Sequence, residues 1–190
     1  MPRPCSSIWP CCGTAATPDL PFRSVRARFW RVLAPRWAHQ PLSGKGAARH
    51  AGRWNPPGVN TLYLSADLPT AVAEYEQDIG IRPGTFCAYD VTTDGVLDLT
   101  DPAVPPTVGL KPEDCFAPWK SIFLVQRGTP PGWGVVTRVI QAGGAGVIVP
   151  SAQFKGGRNL VLWRWNDGAD RQITALDPQT DLPRDQASWR

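Results

Sequence analysis

The spacing of apolar positions changes several times along the chain, and each change predicts an element. Residues 29–33 (FWRVL) combine aromatic and β-branched side chains and predict a first strand. Residues 61–65 (TLYLS) predict a second. A helix follows. Ser65 or Asp67 can cap it, Pro69 suits its first turn, and residues 70–79 (TAVAEYEQDI) continue it. Leu68, Val72, Tyr75 and Ile79 fall on one helical stripe. Residues 85–91 alternate as a strand does, with 96–99 placed to pair beside them. Residues 118–126 and 133–142 read as helical, and the glycines of 143–146 end the second helix. Residues 147–149 and 160–165 read as strands around a loop, and 173–176 as a last strand. Strands and helices alternate without a repeated βαβ unit. The pattern therefore predicts a single α+β domain with mixed or antiparallel sheets and flanking helices, against a doubly wound parallel sheet.

Between these elements lie segments without period. Residues 1–22 hold prolines at 2, 4, 10, 18 and 21, which exclude a long helix and mark a flexible leader. Residues 43–50 read as loop or short helix, and 51–58 (AGRWNPPG) as a stiff turn. Residues 101–118 are proline-rich loop with a short helix near 112–115. The expected boundaries are leader 1–22, domain 23–176 and polar tail 177–190.

Composition narrows the function classes. The 190 residues, 42% hydrophobic and 19% charged, suit one globular domain. The net charge is +4, but the arginines are scattered, and Arg23, Arg26, Arg28 and Arg31 alternate with other residues. Such a distribution suits a small polyanion better than direct nucleic-acid binding. No apolar run approaches the roughly 20 residues of a membrane span, and the N-terminus lacks a secretory signal. A cytoplasmic address is expected. Five cysteines and two histidines offer no CxxC and no paired histidines, so no metal site is expected and the thiols are read as reduced.

Common catalytic signatures fail. Gly44-Lys45-Gly46 lacks the third glycine of a dinucleotide loop, because Arg49 stands there. There is no P-loop and no GxSxG, and Ser65, Ser121 and Ser151 carry no hydrolase signature.

Three other blocks carry chemistry. They are Gly52-Arg53-Trp54-Asn55 with Gly58, then Leu62-Tyr63-Leu64-Ser65 followed by Ala71-Val72-Ala73-Glu74, and last Pro150-Ser151 followed by Asn159-Leu160-Val161. With Trp30-Arg31-Val32 and Pro41-Leu42-Ser43-Gly44, they resemble the RES domain over roughly residues 28–165. Taken singly, each polar residue has an ordinary structural explanation. The ordered set is what points to a site. The one departure is HAGRW, where the family often has a second glycine before the arginine.

The resemblance implies a toxin of a toxin–antitoxin pair, with a fold like that of ADP-ribosyltransferases. It implies consumption of NAD+ by hydrolysis or phosphorolysis, or transfer of ADP-ribose to a protein. It implies Arg53, Tyr63, Glu74 and Ser151 as catalytic residues, and Arg31, Arg53, Tyr63, Ser151 and Asn159 as dinucleotide-binding residues. NAD is then substrate, and no metal is called for. The partner would be a cognate antitoxin with a helix-turn-helix DNA-binding region, and a homo-oligomer within that complex stays open. The residue types fit. Arginine offers a planar fork to phosphate oxygens. Tyrosine offers a flat face or a hydroxyl. A carboxylate stabilises the oxocarbenium-like sugar left when the C1′–N bond breaks. An inactive binding module that uses the same pocket as a partner surface is a rival reading, and two further alternatives stay open. By helical angle Glu76 lies nearer the apolar stripe than Glu74, although the eleven-residue step from Tyr63 to Glu74 follows the family. The acceptor of ADP-ribose is also undecided between water, phosphate and a protein.

Overall fold

A computed structural model describes residues 19–77, 80 and 82–187. Cys5, Cys11 and Cys12 of the leader, Ile79 of the helical stripe and Trp189-Arg190 lie outside them.

Among the described residues, six strands and three α-helices make one mixed α+β domain: β1 (Phe22–Leu33), α1 (Lys45–Arg49), β2 (Leu62–Ser65), α2 (Leu68–Glu76), β3 (Thr85–Asp98), α3 (Pro131–Gln141), β4 (Gly146–Pro150), β5 (Arg158–Leu162) and β6 (Arg171–Ala175). The sheet order is β1-β2-β5-β4-β3-β6, with a further β1–β3 pairing that closes the circuit. Among these strands β3–β4 is parallel, and the other pairings are antiparallel. The closure is uneven. β1 and β3 pair over eleven residue pairs, whereas β1 and β2 meet only at Trp30–Ser65.

Side-chain alternation sorts the core into two clusters. Leu62, Leu64, Ile148, Leu160 and Leu162 join Phe29, Leu33 and Tyr89 on the inner face of the rolled sheet. Val147, Val149, Val161 and Trp163 face the other way, onto α3 and the 99–115 segment. Strands buried on both faces need apolar residues at successive positions, which accounts for the runs GVIV and NLVL. Helix α3 presents Val135, Val136 and Val139, all at most 1% exposed. Burying each such side chain contributes about 1.5–3 kcal/mol.

Several expectations need correction. The first strand starts at Phe22, not 29, because Arg23, Arg26 and Arg28 stay outward while Val25 and Phe29 enter the core. Residues 85–91 and 96–99 are not neighbouring strands. Thr85–Asp98 is one strand, and Gly95 at φ 74° lets it bend without breaking. The segment expected to be helical at 118–126 is helical over 119–125, with π-type winding at Ser121–Val125, and the short helix expected near 112–115 is a 3₁₀ turn, Pro112–Phe116, preceded by another at Pro105–Val108. Helix α2 stops at Glu76, and Gln77 takes φ 42°. Its cap is Asp67, whose carboxylate accepts the Thr70 N–H at 2.7 Å. Its buried residues are Thr70 and Ala71, whereas Leu68 is 42% exposed, so the apolar stripe does not mark the inward face.

Candidate active site

The turn at 51–58 is locked from four sides. Gly52 and Asn55 exchange backbone hydrogen bonds of 2.9 and 3.4 Å. Asn55, 1% exposed, donates from Nδ2 to the carbonyls of Ala47 (2.8 Å) and His50 (3.1 Å). Its Oδ1 accepts from the Tyr63 hydroxyl at 2.7 Å, and the Tyr63 oxygen accepts the Trp54 N–H at 3.3 Å. Two indoles complete the clamp. Trp133 Nε1 donates to the Gly52 carbonyl and Trp163 Nε1 to that of Trp54, both at 2.9 Å. The approach is too close for side chains: a Cβ on Gly52 would meet Asn55 Oδ1 at 2.3 Å, and one on Gly132 would meet the Arg53 carbonyl at 2.5 Å. Arg53 is thereby held at its backbone, and its guanidinium donates to the Ala117 carbonyl.

The second piece comes from β2, β5 and the loop after β4. Tyr63 and Ser65 alternate with Leu62 and Leu64, so they face away from the inner core. Asn159 is the cross-strand partner of both Ser65 and Val149. The Ser65 hydroxyl donates to Asn159 Oδ1 at 2.8 Å. That bond orients the amide, and Asn159 Nδ2 donates to Glu74 Oε1 at 2.7 Å. Ser151 Oγ donates to the same oxygen at 2.7 Å. It also accepts the N–H groups of Gln153 (3.1 Å) and Phe154 (3.0 Å). Both Ser151 and Asn159 bond Glu74 Oε1 rather than Oε2.

These groups border a cavity of about 710 Å³. Arg31, Arg53, Tyr63, Glu74 and Asn159 line it; Ser151 does not, although Pro150, Ala152 and Gln153 on either side of it do. Ser151 meets the cavity wall through its hydrogen bond to Glu74. Glu76 is outside the lining. Glu74 sits one helical turn beyond the buried Thr70, and Ala71, Glu74 and Tyr75 turn to the cavity while Leu68 and Val72 do not. Sequence reading missed Asn55, Ser65, His50, Trp119 and Arg82 as parts of the site. Ser65 had a signal, since it shares a strand face with Tyr63. Arg82 had none.

Burial shapes the charges. It pushes the guanidinium pKa of Arg53 down, and the neighbouring Glu74 carboxylate pulls it back up. Arg31 is also lowered by burial, against the opposing effects of Tyr89 and Cys87. Burial pushes the Tyr63 phenol above its ordinary range, so it stays a neutral hydroxyl. Among the described residues no group of three or more His, Cys, Asp or Glu is arranged to hold a metal ion. Among them, too, no helix is long and apolar enough to cross a membrane.

The family model described as the RES domain matches residues 28–185. The chain belongs to the RES domain family. Relatives of this RES domain include the NAD(+) phosphorylase MbcT of Mycobacterium bovis and that of Mycobacterium tuberculosis. Each is 34% identical over 133 residues, covering 64% of this chain and 64% of the relative. The chain thus spans about 64% of the length of the curated relatives it matches. The crystal structure of the M. tuberculosis MbcT–MbcA toxin–antitoxin complex superposes with a TM-score of 0.62 at 26% identity, over 83% of this chain and 87% of that one. The RES domain here shares the mixed α+β architecture of that structure.

Proposed function

We propose that this RES domain is the toxin of a toxin–antitoxin pair and cleaves the nicotinamide–ribose bond of NAD+, passing ADP-ribose to inorganic phosphate. The observation that carries the reading is Glu74, held on the cavity wall by two donors on one oxygen. A carboxylate so fixed meets developing positive charge without reorganising.

In this reading the nicotinamide ribose lies against Glu74. The C1′–N bond breaks, and its electron pair leaves on the pyridine nitrogen, which becomes neutral. Glu74 stabilises the oxocarbenium-like sugar through its carboxylate or holds a ribose hydroxyl. A phosphate oxygen then forms the new bond to C1′, giving ADP-ribose 1-phosphate. Ser151 and Asn159 fix the carboxylate, and Ser65 fixes Asn159. Tyr63 holds the turn that presents Arg53 and offers its ring to the cavity. No metal is assigned a step. The similarity to a phosphorylase favours phosphate as acceptor over water. The partner inferred is an antitoxin, because the superposed relative is a toxin in complex with one; a helix-turn-helix region in that partner is the finer expectation.

Nicotinamide release from NAD+ tests this. The full chain should release nicotinamide faster with inorganic phosphate than without it, and Glu74→Gln should abolish release while the protein stays folded. Equal rates with and without phosphate would make water the acceptor. Label from the adenylate half appearing on a protein would make the enzyme a transferase. Full activity in E74Q would refute the assignment of the carboxylate.

A further inference from the structure

Besides Arg53, the cavity wall carries two guanidinium groups that have no carboxylate partner among the described residues, Arg31 and Arg82. Arg31 reaches the Pro41 carbonyl at 3.5 Å and also interacts with Tyr89. Arg82 donates from Nη2 to the Tyr75 carbonyl at 3.3 Å, and its Cζ stands 4.3 Å from the centre of the Tyr75 ring. Tyr75 is itself fixed, because its hydroxyl donates to the Pro83 carbonyl at 2.6 Å. Gly84 makes room for it. A Cβ there would lie 2.5 Å from Val32 Cγ1 and 3.1 Å from Tyr75 Cε1. Val32 follows Arg31 in β1 and also lines the cavity. Arg31, Val32, Tyr75 and Arg82 therefore share one wall. It is built from different elements than the wall formed by the 51–58 turn and residues 118–121.

A ring stacked on the face of a guanidinium holds its plane while leaving the edge N–H groups available. Of those on Arg82, Nη2 bonds the Tyr75 carbonyl and the others can meet an anion. Arg53 differs, since it is tied to the Ala117 carbonyl and lies in the field of Glu74. The two walls thus divide the work. We propose that Arg82, seated on Tyr75 and acting with Arg31, binds the pyrophosphate of the dinucleotide, leaving Arg53 for the reacting end beside Glu74. This rests on the NAD+ reading above. It extends that reading to a residue outside the blocks that carry the family resemblance.

The test is calorimetric titration of ADP-ribose into the full chain and its R82A and R82K variants, with thermal melts to check folding. Hydrogen bonds to charged groups are the stronger ones, so R82A should bind about tenfold or more weakly. R82K keeps the charge but not the fork and should recover only part of that loss. For nicotinamide release, R82A should raise KM for NAD+ about tenfold with kcat within about twofold of wild type, because the lost contact is made equally in ground and transition states. An ADP-ribose Kd for R82A within about twofold of wild type overturns the proposal, and so does wild type that fails to bind ADP-ribose at millimolar concentration. If R82A does not fold, R82K with unchanged affinity and KM overturns it equally. Binding that depends on Arg82 in a protein that releases no nicotinamide would sink the reaction and keep the subsite.

Discussion

Removing the Ser151 hydroxyl separates a brace from a chemical participant. The side chain is 5% exposed and its oxygen makes three hydrogen bonds, one to Glu74 and two from the backbone of Gln153 and Phe154. In Ser151→Ala the carboxylate loses one of its two donors, and two N–H groups lose their acceptor. A bond to an ionised group contributes roughly 1.5–3 kcal/mol, and each neutral bond about 0.5–1.5. Gln153 and Phe154 are exposed and Glu74 faces the cavity, so water recovers part of this and the lower values apply. The expected loss is about 2–3 kcal/mol, from a total stability on the order of 5–15. For a chain of this length that lowers Tm by roughly 5–10 °C. Turnover should fall on the order of 10–100-fold without vanishing, because Asn159 still holds Oε1 while the carboxylate gains play. Ser151→Thr, which keeps the hydroxyl, should recover most of both. The assays are urea unfolding, thermal melts and nicotinamide release at saturating NAD+. A stability change below about 0.5 kcal/mol would refute the bracing argument. Complete loss of turnover in a variant as stable as wild type would make the hydroxyl part of the chemistry.

Three further outcomes follow from the same geometry. Ser65→Ala frees the Asn159 amide to rotate and should lower kcat several-fold with KM little changed, and Ser65→Thr should restore it; an effect on KM alone would contradict a positioning role. Gly132→Ala drives a Cβ to within 2.5 Å of the Arg53 carbonyl and 2.9 Å of the Trp54 ring, so overpacking should cost about 1–3 kcal/mol and raise KM as Arg53 shifts. A melt and KM matching wild type would show that the turn is looser than described. Burial, with the charge of Asp114 adding to it, pushes the Cys115 thiol up to about 11 from 9.0. The folded state then holds this proton more tightly than the unfolded state. The resulting stability is fully present below about pH 9 and is lost as pH rises through 11. Urea midpoints across that range should fall more steeply for wild type than for Cys115→Ala, and parallel curves would remove Cys115 as the cause.

Much of the local structure was legible in the residues. The apolar runs near 147 and 160 marked two-sided strands because successive positions there had to be buried. The valines of α3, the Asp67 cap and the glycine after the last helix followed from local physics that acts within a few residues. The order of the GRWN turn, Tyr63, Glu74, Ser151 and Asn159 was enough to point to the family.

The convergence of those residues was not legible. Ser151 and Asn159 reach Glu74 across 77 and 85 positions of sequence, and Ser65 reaches Asn159 across 94. Such pairs exist only once β2, β4 and β5 lie side by side, and no local propensity records that order. The choice of Glu74 over Glu76 for the cavity wall was also tertiary. Helix α2 is nine residues long, and its stripe of Leu68, Val72 and Tyr75 predicted the wrong inward face. Packing turned Thr70 and Ala71 inward instead. The sequence by itself determined which side chains could do the chemistry. The closed sheet decided which of them meet, because strand pairing converts distant positions into hydrogen-bonding neighbours and fixes the face that each one shares.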